Sequence, residues 1–311
     1  MEYKNFKMPE DINVTKEHPL KNFFYLLLGV ASIMVATLLI FFYSIGYVAK
    51  WIPFEKEVEW LQTIETSLDG DKAGDFLREL VFPGAAETVN TQSQKNKLRA
   101  EEITAYLQSL SDQLSLAQDL PASMKITVHY IDQPIINAFA TVGGNVFIYQ
   151  GLIDAVSSEN GLSMVLAHEI AHVNNRHPIV ALSRSLGLGV MLSLVTGIGG
   201  NNLSTNLASH FNLLTTLAFS RRQENQSDVD AYNTLLKYYG HGLGATELFS
   251  VLVESDQASR LPELLNSHPL SENRIERLNT LGAAIAANCA KAPFSCVLTK
   301  LPEFVRAPIG Q

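Results

Sequence analysis

The stretch His168-Glu169-Ile170-Ala171-His172 contains residue types whose spacing allows them to bind a metal ion and activate water. On a helix, residues four apart lie on one face, so both imidazoles can reach a single Zn²⁺ ion. The glutamate beside the first histidine can then accept a proton from water at the ion. The pattern therefore predicts a zinc site with His168 and His172 as ligands and Glu169 as the general base.

A hydrolytic zinc site of this kind needs a third protein ligand, and Glu224 is the best candidate. It lies in SRRQENQSD, residues 220–228, which we expect to be helical. Asp228 follows four residues later on the same face, where it can accept the second ring N–H of a ligating histidine. The alternative is that Arg221 and Arg222 pair with these carboxylates on a solvated helix surface. The HExxH motif favours the metal site.

An uncharged apolar stretch, Asn22–Ala49, is long enough to cross a bilayer, because about 20 residues suffice. Aromatic residues lie at both ends, as expected at the two membrane interfaces. The alternative is a cleaved signal peptide, but the apolar run is too long and no clear small-x-small site follows it. We therefore expect one uncleaved transmembrane helix that contacts membrane lipid.

Basic residues flank this anchor unequally. Four lysines precede it and two follow closely, namely Lys4, Lys7, Lys16 and Lys21 against Lys50 and Lys56. This bias predicts a cytoplasmic N-terminus and a C-terminal domain across the membrane, on the periplasmic side of a bacterial inner membrane. Cys289 and Cys296 fit a disulfide in such an exported domain, with two unrelated small core residues as the alternative.

Length and charge limit the remaining classes of protein. The net charge of -8 argues against nucleic acid as a partner, and 311 residues suffice for one large core. We expect an α+β, mainly helical fold. The expected divisions are a cytoplasmic leader (1–21), the anchor (22–49), a helical juxtamembrane region (50–120) and a catalytic domain (121–311).

A small β-sheet should precede the HExxH helix. Residues 125–130 alternate and are rich in β-branched types, which predicts a strand. Asn137–Thr141 and Asn145–Tyr149 flank Val142-Gly143-Gly144, and this is a hairpin signal because glycine tolerates the positive φ of a tight turn.

Helices should make up most of the remaining domain. Ser157 or Ser158 can cap the HExxH helix, which should end near Val173. The glycine-rich apolar stretch Leu182–Gly200 is either a core helix or a second segment that contacts the membrane, and its short length favours the core helix. Further helical patterns cover 203–239 and 275–287.

Four ordered motifs together resemble a known family. NAFATVGGNVFIYQGLI, HEIAHVNNRH, SRRQENQSD and HPLSENR are similar to the zinc metalloendopeptidases that include HtpX, the CAAX prenyl endopeptidases and periplasmic BepA. The resemblance covers about half of the chain. It implies a zincin-type (gluzincin) fold with Zn²⁺ on His168, His172 and Glu224 and with Glu169 as the base. The family usually has alanine where this chain has Ser227.

The resemblance also implies roles for two residues of HPLSENR. His268 would reach the active site from a loop, where it either stabilises the oxyanion or occupies the open zinc position and keeps the enzyme latent. A loop residue before Pro269 without a catalytic role is the alternative. Arg274 would orient the substrate or buttress that loop.

The hairpin is the expected contact for substrate. An edge strand at Asn145–Tyr149 could pair with an extended peptide, with an ordinary core strand as the alternative. Asn137 could hold either the peptide or the turn. The remaining histidines, including His177, are not at ligand spacing, so we expect structural or surface roles for them.

The sequence thus predicts a membrane-anchored zinc metalloendopeptidase that acts on proteins or peptides. A role in envelope protein quality control is implied by the resemblance alone. One alternative is a non-catalytic membrane-anchored scaffold or chaperone, although a structural zinc site would not need Glu169. Another is a zinc hydrolase that acts on non-peptide amides.

Overall fold

A computed structural model of the chain describes residues 19–67, 94–184, 187, 219–250, 268, 272–291 and 296–306. The chain divides into an N-terminal unit that ends at Ser44 and a second unit that begins at Ile45. Part of the helical pattern expected over 203–239, and most of the stretch Leu182–Gly200, lie outside the described residues.

Helix α1, Pro19–Ala49, contains the expected anchor. Its 31 residues correspond to about 46 Å at the α-helical rise, which exceeds the roughly 30 Å of a bilayer's hydrocarbon core. Its most apolar window has a mean hydropathy of 2.5, and none of that window is buried. Within the described part of the chain it is the one helix long and apolar enough to span a membrane, as the sequence predicts.

A three-stranded sheet precedes the HExxH helix, as expected. It comprises β1 (Thr127–Ile131), β2 (Ala138–Ala140) and β3 (Asn145–Tyr149), in the spatial order β1-β3-β2. β2 and β3 form an antiparallel hairpin, and β1 pairs with β3 in parallel. The hairpin turns through a 3₁₀ segment, Val142–Gly144, whose two glycines have φ of 72° and 78°. These left-handed values explain the Gly-Gly pair.

The expectation that Asn145–Tyr149 forms an edge strand is wrong, because β3 is the central strand. Both of its edges are occupied, one by β2 and one by β1. β1 and β3 are separated in sequence by β2 and the turn. Alternation within one segment therefore does not predict that they pair. The two outer strands are β1 and β2, and Ala138 and Ala140 of β2 are themselves buried.

Within the second unit, the described helices pack around the sheet and around one central helix. Helix α5 (Glu159–Asn174) carries HExxH, and every residue from Asn160 to Val173 is buried, as expected for a helix surrounded by core. Ser158 caps it by accepting the N–H of Gly161 at 3.0 Å. The other helices are α2 (Phe54–Ser67), α3 (Gln94–Ala117), α4 (Gln150–Ala155), α6 (Arg221–Tyr239), α7 (Glu272–Lys291) and α8 (Glu303–Arg306).

The core that positions α5 comes from α3, the sheet and the C-terminal segment. Helix α3 buries Ile103, Leu107 and Leu114 completely, at the spacing of one helix face. Leu301 and Val305 join the same cluster from the far end of the chain. Cys289 at the end of α7 is joined by a disulfide to Cys296, so the expected pairing is present.

Candidate metal centre

Four buried side chains bring potential metal-binding atoms to one point. His168, His172, Glu224 and His268 each offer one such atom, and these atoms lie within 4.8 Å of one another. The two histidines of α5 are one turn apart on one face, as their spacing predicts. Glu224 comes from the first turn of α6, where Ser220 and Gln223 form a capping box and the helix dipole favours an acidic side chain. His268 reaches the cluster from outside these helices.

The distances between these atoms are close to those expected around a tetrahedrally coordinated cation. A cation bound at about 2.1 Å in tetrahedral geometry separates its ligand atoms by about 3.4 Å. His168 Nε2 lies 3.0 Å from His172 Nε2 and 3.5 Å from Glu224 Oε2. His172 Nε2 lies 3.4 Å from Glu224 Oε1. His268 Nδ1 lies 3.1 Å from Glu224 Oε1 and 3.3 Å from His168 Nε2. The donor types and these separations therefore fit a metal ion.

The buried charges also favour a cation. Glu169, Glu224 and Asp228 are buried together with one guanidinium, that of Arg274. Burial alone would raise the pKa values of Glu224 and Asp228, but neighbouring positive groups lower both, so both carboxylates are ionised and the single guanidinium neutralises only one of them. Burial alone would lower the pKa of His168, but Asp228 and Glu224 raise it to about 10. The sign of this shift means that the carboxylates favour positive charge at the centre of the cluster.

Asp228 and Arg274 support the cluster from behind. His168 Nδ1 lies 3.1 Å from Asp228 Oδ1, so the nitrogen turned away from the cluster faces a carboxylate. Arg274 donates from Nε and Nη2 to the two oxygens of Asp228, both at 2.8 Å, and its Nη1 lies 2.7 Å from Glu224 Oε2. Arg274 Nη1 also contacts the carbonyl of His268 at 3.4 Å. Arg274 thus contacts two carboxylates of α6 and the backbone of His268.

Glu169 lies beside the cluster and outside its set of donor atoms. It is 1% exposed, and its Oε2 has no hydrogen-bond partner among the described residues. His268 Nε2 lies 3.5 Å from Glu169 Oε1. A small cavity opens at this point, with Glu169, His168, His268 and Arg274 on its polar side. Its apolar lining comes from Met164, Val165, Leu248 and Phe249. A buried, under-bonded carboxylate that faces a cavity can act as a base on a bound molecule.

The two asparagines predicted to contact substrate lie in different settings. Asn145 holds the hairpin: its Nδ2 donates to the Val142 carbonyl at 3.1 Å, and its Oδ1 lies 2.9 Å from His129 Nε2. These contacts show that Asn145 stabilises the hairpin turn. The Asn137 side-chain oxygen is buried and has no hydrogen-bond partner among the described residues.

Sequence reasoning missed two aromatic neighbours of His172. Nδ1 of His177 lies 3.1 Å from Nδ1 of His172, although we expected no role for His177 at the site. Phe219 packs on His172 with ring centroids 4.0 Å apart. In the sequence, His177 stands five residues after His172, the last residue of the motif. On a continuous helix that spacing places a side chain off the ligand face.

The fold and the site together define a class: a core helix that carries HExxH, a glutamate from a second helix and a small preceding sheet are the parts of a zincin-type metallopeptidase. The profile of peptidase family M48 matches residues 98–281. Since this is more than half of the chain, the chain belongs to peptidase family M48, and the resemblance drawn from the four motifs is confirmed.

Individual relatives agree with this assignment. The chain is 30% identical over 213 residues to the mitochondrial metalloendopeptidase OMA1 of Schizosaccharomyces pombe, covering 67% of this chain and 61% of that protein. It is 31% identical over 189 residues to the beta-barrel assembly-enhancing protease of Escherichia coli (strain K12), covering 56% and 37%. The human metalloendopeptidase OMA1 is 25% identical over 291 residues, covering 88% and 52%. The chain therefore spans between about a third and three-fifths of the length of these relatives.

Proposed function

We propose that this chain is a membrane-anchored, zinc-dependent metalloendopeptidase. His168, His172 and Glu224 hold the zinc ion, and Glu169 is the catalytic base. One observation carries the proposal: a tetrahedral set of buried histidine and glutamate atoms lies beside a buried glutamate that is not among its donors and faces a cavity. Membership of peptidase family M48 supports the same conclusion.

The chemistry assigned to each residue follows from its position. Bound zinc supplies Lewis acidity to the scissile carbonyl and lowers the pKa of the attacking water. Glu169 takes a proton from that water and delivers it to the leaving amine, as a general base and then a general acid. Asp228 keeps His168 oriented with its Nε2 toward the metal. Arg274 holds Asp228 and Glu224 in place as a positioning residue.

His268 occupies the fourth position of the donor set in this conformation. Its Nδ1 lies as close to Glu224 and His168 as a fourth tetrahedral ligand would. A hydrolytic zinc site keeps one position for water or substrate, so a fourth protein ligand there restrains activity. Of the two roles that the resemblance implies for His268, the geometry supports the latent one, in which His268 withdraws before turnover.

The cavity supports a peptide as substrate in preference to a small polar amide. Its Met164, Val165, Leu248 and Phe249 lining lies next to Glu169, where the side chain of a residue adjoining the scissile bond would enter. Burying an apolar side chain there stabilises binding by about 25 cal/mol per Å² of apolar surface. A non-catalytic scaffold would need neither this cavity nor Glu169.

Digestion of an unfolded protein such as casein tests the catalytic proposal. The full chain in detergent, loaded with zinc, should degrade casein, and Glu169→Gln should lose about 10²-fold to 10⁴-fold of the rate while retaining zinc. Glu101→Gln, at an exposed position of α3, is the matched control and should retain full activity. Equal turnover by the wild type and Glu169→Gln would refute the assignment. Loss of zinc from the Glu169 variant would make Glu169 a ligand in place of a base.

We further propose that the domain faces the periplasm and acts on proteins at the membrane, in envelope quality control. The bias of lysines before the apolar stretch Asn22–Ala49 supports this orientation, and the Cys289–Cys296 disulfide is typical of an oxidising compartment. The name of the Escherichia coli relative refers to beta-barrel assembly, which supports an envelope substrate. A periplasm-dependent phosphatase fused after Gln311 should be active, and an inactive fusion in an expressing cell would contradict the orientation.

A further inference from the structure

His172 is contacted through both of its ring nitrogens. Its Nε2 belongs to the donor cluster, and its Nδ1 lies 3.1 Å from Nδ1 of His177. The two rings are nearly perpendicular, at 72° with centroids 5.0 Å apart, and His177 is 2% exposed. When Nε2 of His172 binds a metal, its proton resides on Nδ1, so His172 donates this hydrogen bond and His177 accepts it.

A left-handed residue brings His177 to this position. Helix α5 ends at Asn174, and Arg176 has φ of 62°. A new helical segment then starts at His177 and continues to residue 184. In an uninterrupted helix, His177 would be rotated by about 140° from His172, away from the ligand face. The reversal at Arg176 therefore makes the contact between His177 and His172 possible.

The segment that follows the membrane anchor holds this left-handed residue. Arg176 Nη2 lies 2.6 Å from Glu57 Oε1 and also donates to the Ile52 carbonyl. The Arg176 guanidinium lies over the Phe54 ring, with its carbon 5.7 Å from the centroid. Glu57 Oε2 accepts the N–H of Gly143 at 2.9 Å. Glu57 and Arg176 are only 4% and 9% exposed, so water competes little for this ion pair.

We propose that His177 is a positioning residue for the metal ligand His172, and that Glu57 on the juxtamembrane helix α2 secures it by fixing Arg176. The proposal rests on the proposed function to the extent that His172 binds the metal. Under this proposal, the two metal ligands on α5 are oriented by partners of different kinds. His168 is oriented by the carboxylate of Asp228, and His172 is oriented by a neutral imidazole whose place depends on the chain next to the anchor.

Metal affinity tests the role of His177 directly, because it does not depend on catalysis. Asn places a side-chain polar atom near the Nδ1 position of the imidazole, whereas Gln places it near Nε2. Zinc affinity of the full chain in detergent, measured by competition with a chromophoric chelator, should fall about 10-fold to 100-fold in His177→Gln. It should be largely retained in His177→Asn. The visible spectrum of the Co²⁺-loaded protein should change in the Gln variant only.

Controls separate this role from a general effect on the fold. His241→Asn and His241→Gln alter another buried histidine, which stacks on Tyr239, and should leave zinc affinity unchanged. Equal zinc affinities and equal cobalt spectra for His177→Asn and His177→Gln would overturn the role of His177 while leaving the proposed function intact. A wild-type chain that binds no zinc would overturn both.

A double-mutant cycle tests the part assigned to Glu57. Glu57→Gln should weaken zinc binding in the wild-type background, and Glu55→Gln, at an exposed position of the same helix, should not. Combined with His177→Gln, the Glu57 change should cost little further affinity, because both act through His172. Fully additive losses would overturn the link from Glu57 to His177.

Discussion

Arg274 offers the most direct test of how the buried charges of the candidate metal centre are neutralised. Its guanidinium is 2% exposed and contacts Asp228 through two hydrogen bonds of 2.8 Å and Glu224 at 2.7 Å. Burial alone would lower the pKa of Arg274, but the carboxylates of Asp228, Glu224 and Glu169 raise it, so the group stays charged. Arg274→Met keeps most of the side-chain length and removes the charge, so two buried carboxylates lose the guanidinium that contacts both of them.

The expected cost follows from the burial of these partners. Removing one member of a buried ion pair costs about 3–5 kcal/mol, because the remaining charge stays buried. For a domain of this size each kcal/mol lowers the melting temperature by about 2–4 °C, so Arg274→Met should melt roughly 6–20 °C below the wild type after the metal is removed with a chelator. Circular dichroism of the full chain in detergent would measure this shift. Saturating zinc should reduce the difference, because a divalent cation neutralises the same carboxylates.

Arg277→Met is the matched control, since Arg277 lies one turn further along α7 and is exposed. Surface substitutions of this type change stability by about 0.5 kcal/mol or less, so this variant should melt within about 2 °C of the wild type. If the two variants melted together, Arg274 would not be neutralising buried charge. A loss at Arg274 that zinc leaves unchanged would refute the argument that the cation and the arginine neutralise the same carboxylates.

Two further predictions follow from the site and the core. His268→Ala should increase the rate of casein degradation, because His268 restrains the site as a fourth donor, and a decrease in rate would instead support its role at the oxyanion. Burial and the carboxylate of Glu159 raise the pKa values of Tyr106 and Tyr239 above the ordinary 10.0. Their contribution to stability is therefore present below pH 10.0 and lost as the pH rises further. Tyrosinate absorbance should accordingly appear together with loss of helical circular dichroism, and ionisation of all tyrosines before any unfolding would contradict this.

The parts of the fold that sequence predicted well are those fixed by local geometry. The i, i+4 spacing predicts that His168 and His172 share one face of their helix and that Glu224 and Asp228 share one face of a second helix. The structure has both arrangements. The capping serine, the Gly-Gly hairpin and the apolar anchor are also local signals, since each depends on a few adjacent residues. The central position of β3 was missed because it depends on β1, which is separated from it by β2 and the turn.

His177 shows why the remainder of the site could not be predicted. Its place depends on one backbone dihedral, at Arg176, and arginine is not a residue type that signals a left-handed turn. A left-handed non-glycine residue costs of order 1–3 kcal/mol and persists only where its surroundings fix it. Here the fixing contacts come from Glu57 and Ile52, more than a hundred residues earlier in the chain. The contact between His177 and His172 therefore depends on the juxtamembrane helix and could not be predicted from the spacing of the histidines alone.

This dependence changes how the segment after the anchor should be regarded. Composition alone describes residues 50–67 as a helical connection between a membrane helix and a catalytic domain. The contacts make it part of the framework of the metal centre, because Glu57 joins the hairpin turn at Gly143 to the turn at Arg176 that ends the HExxH helix. A protease domain excised after the anchor should therefore retain α2 if its metal ligands are to keep their geometry.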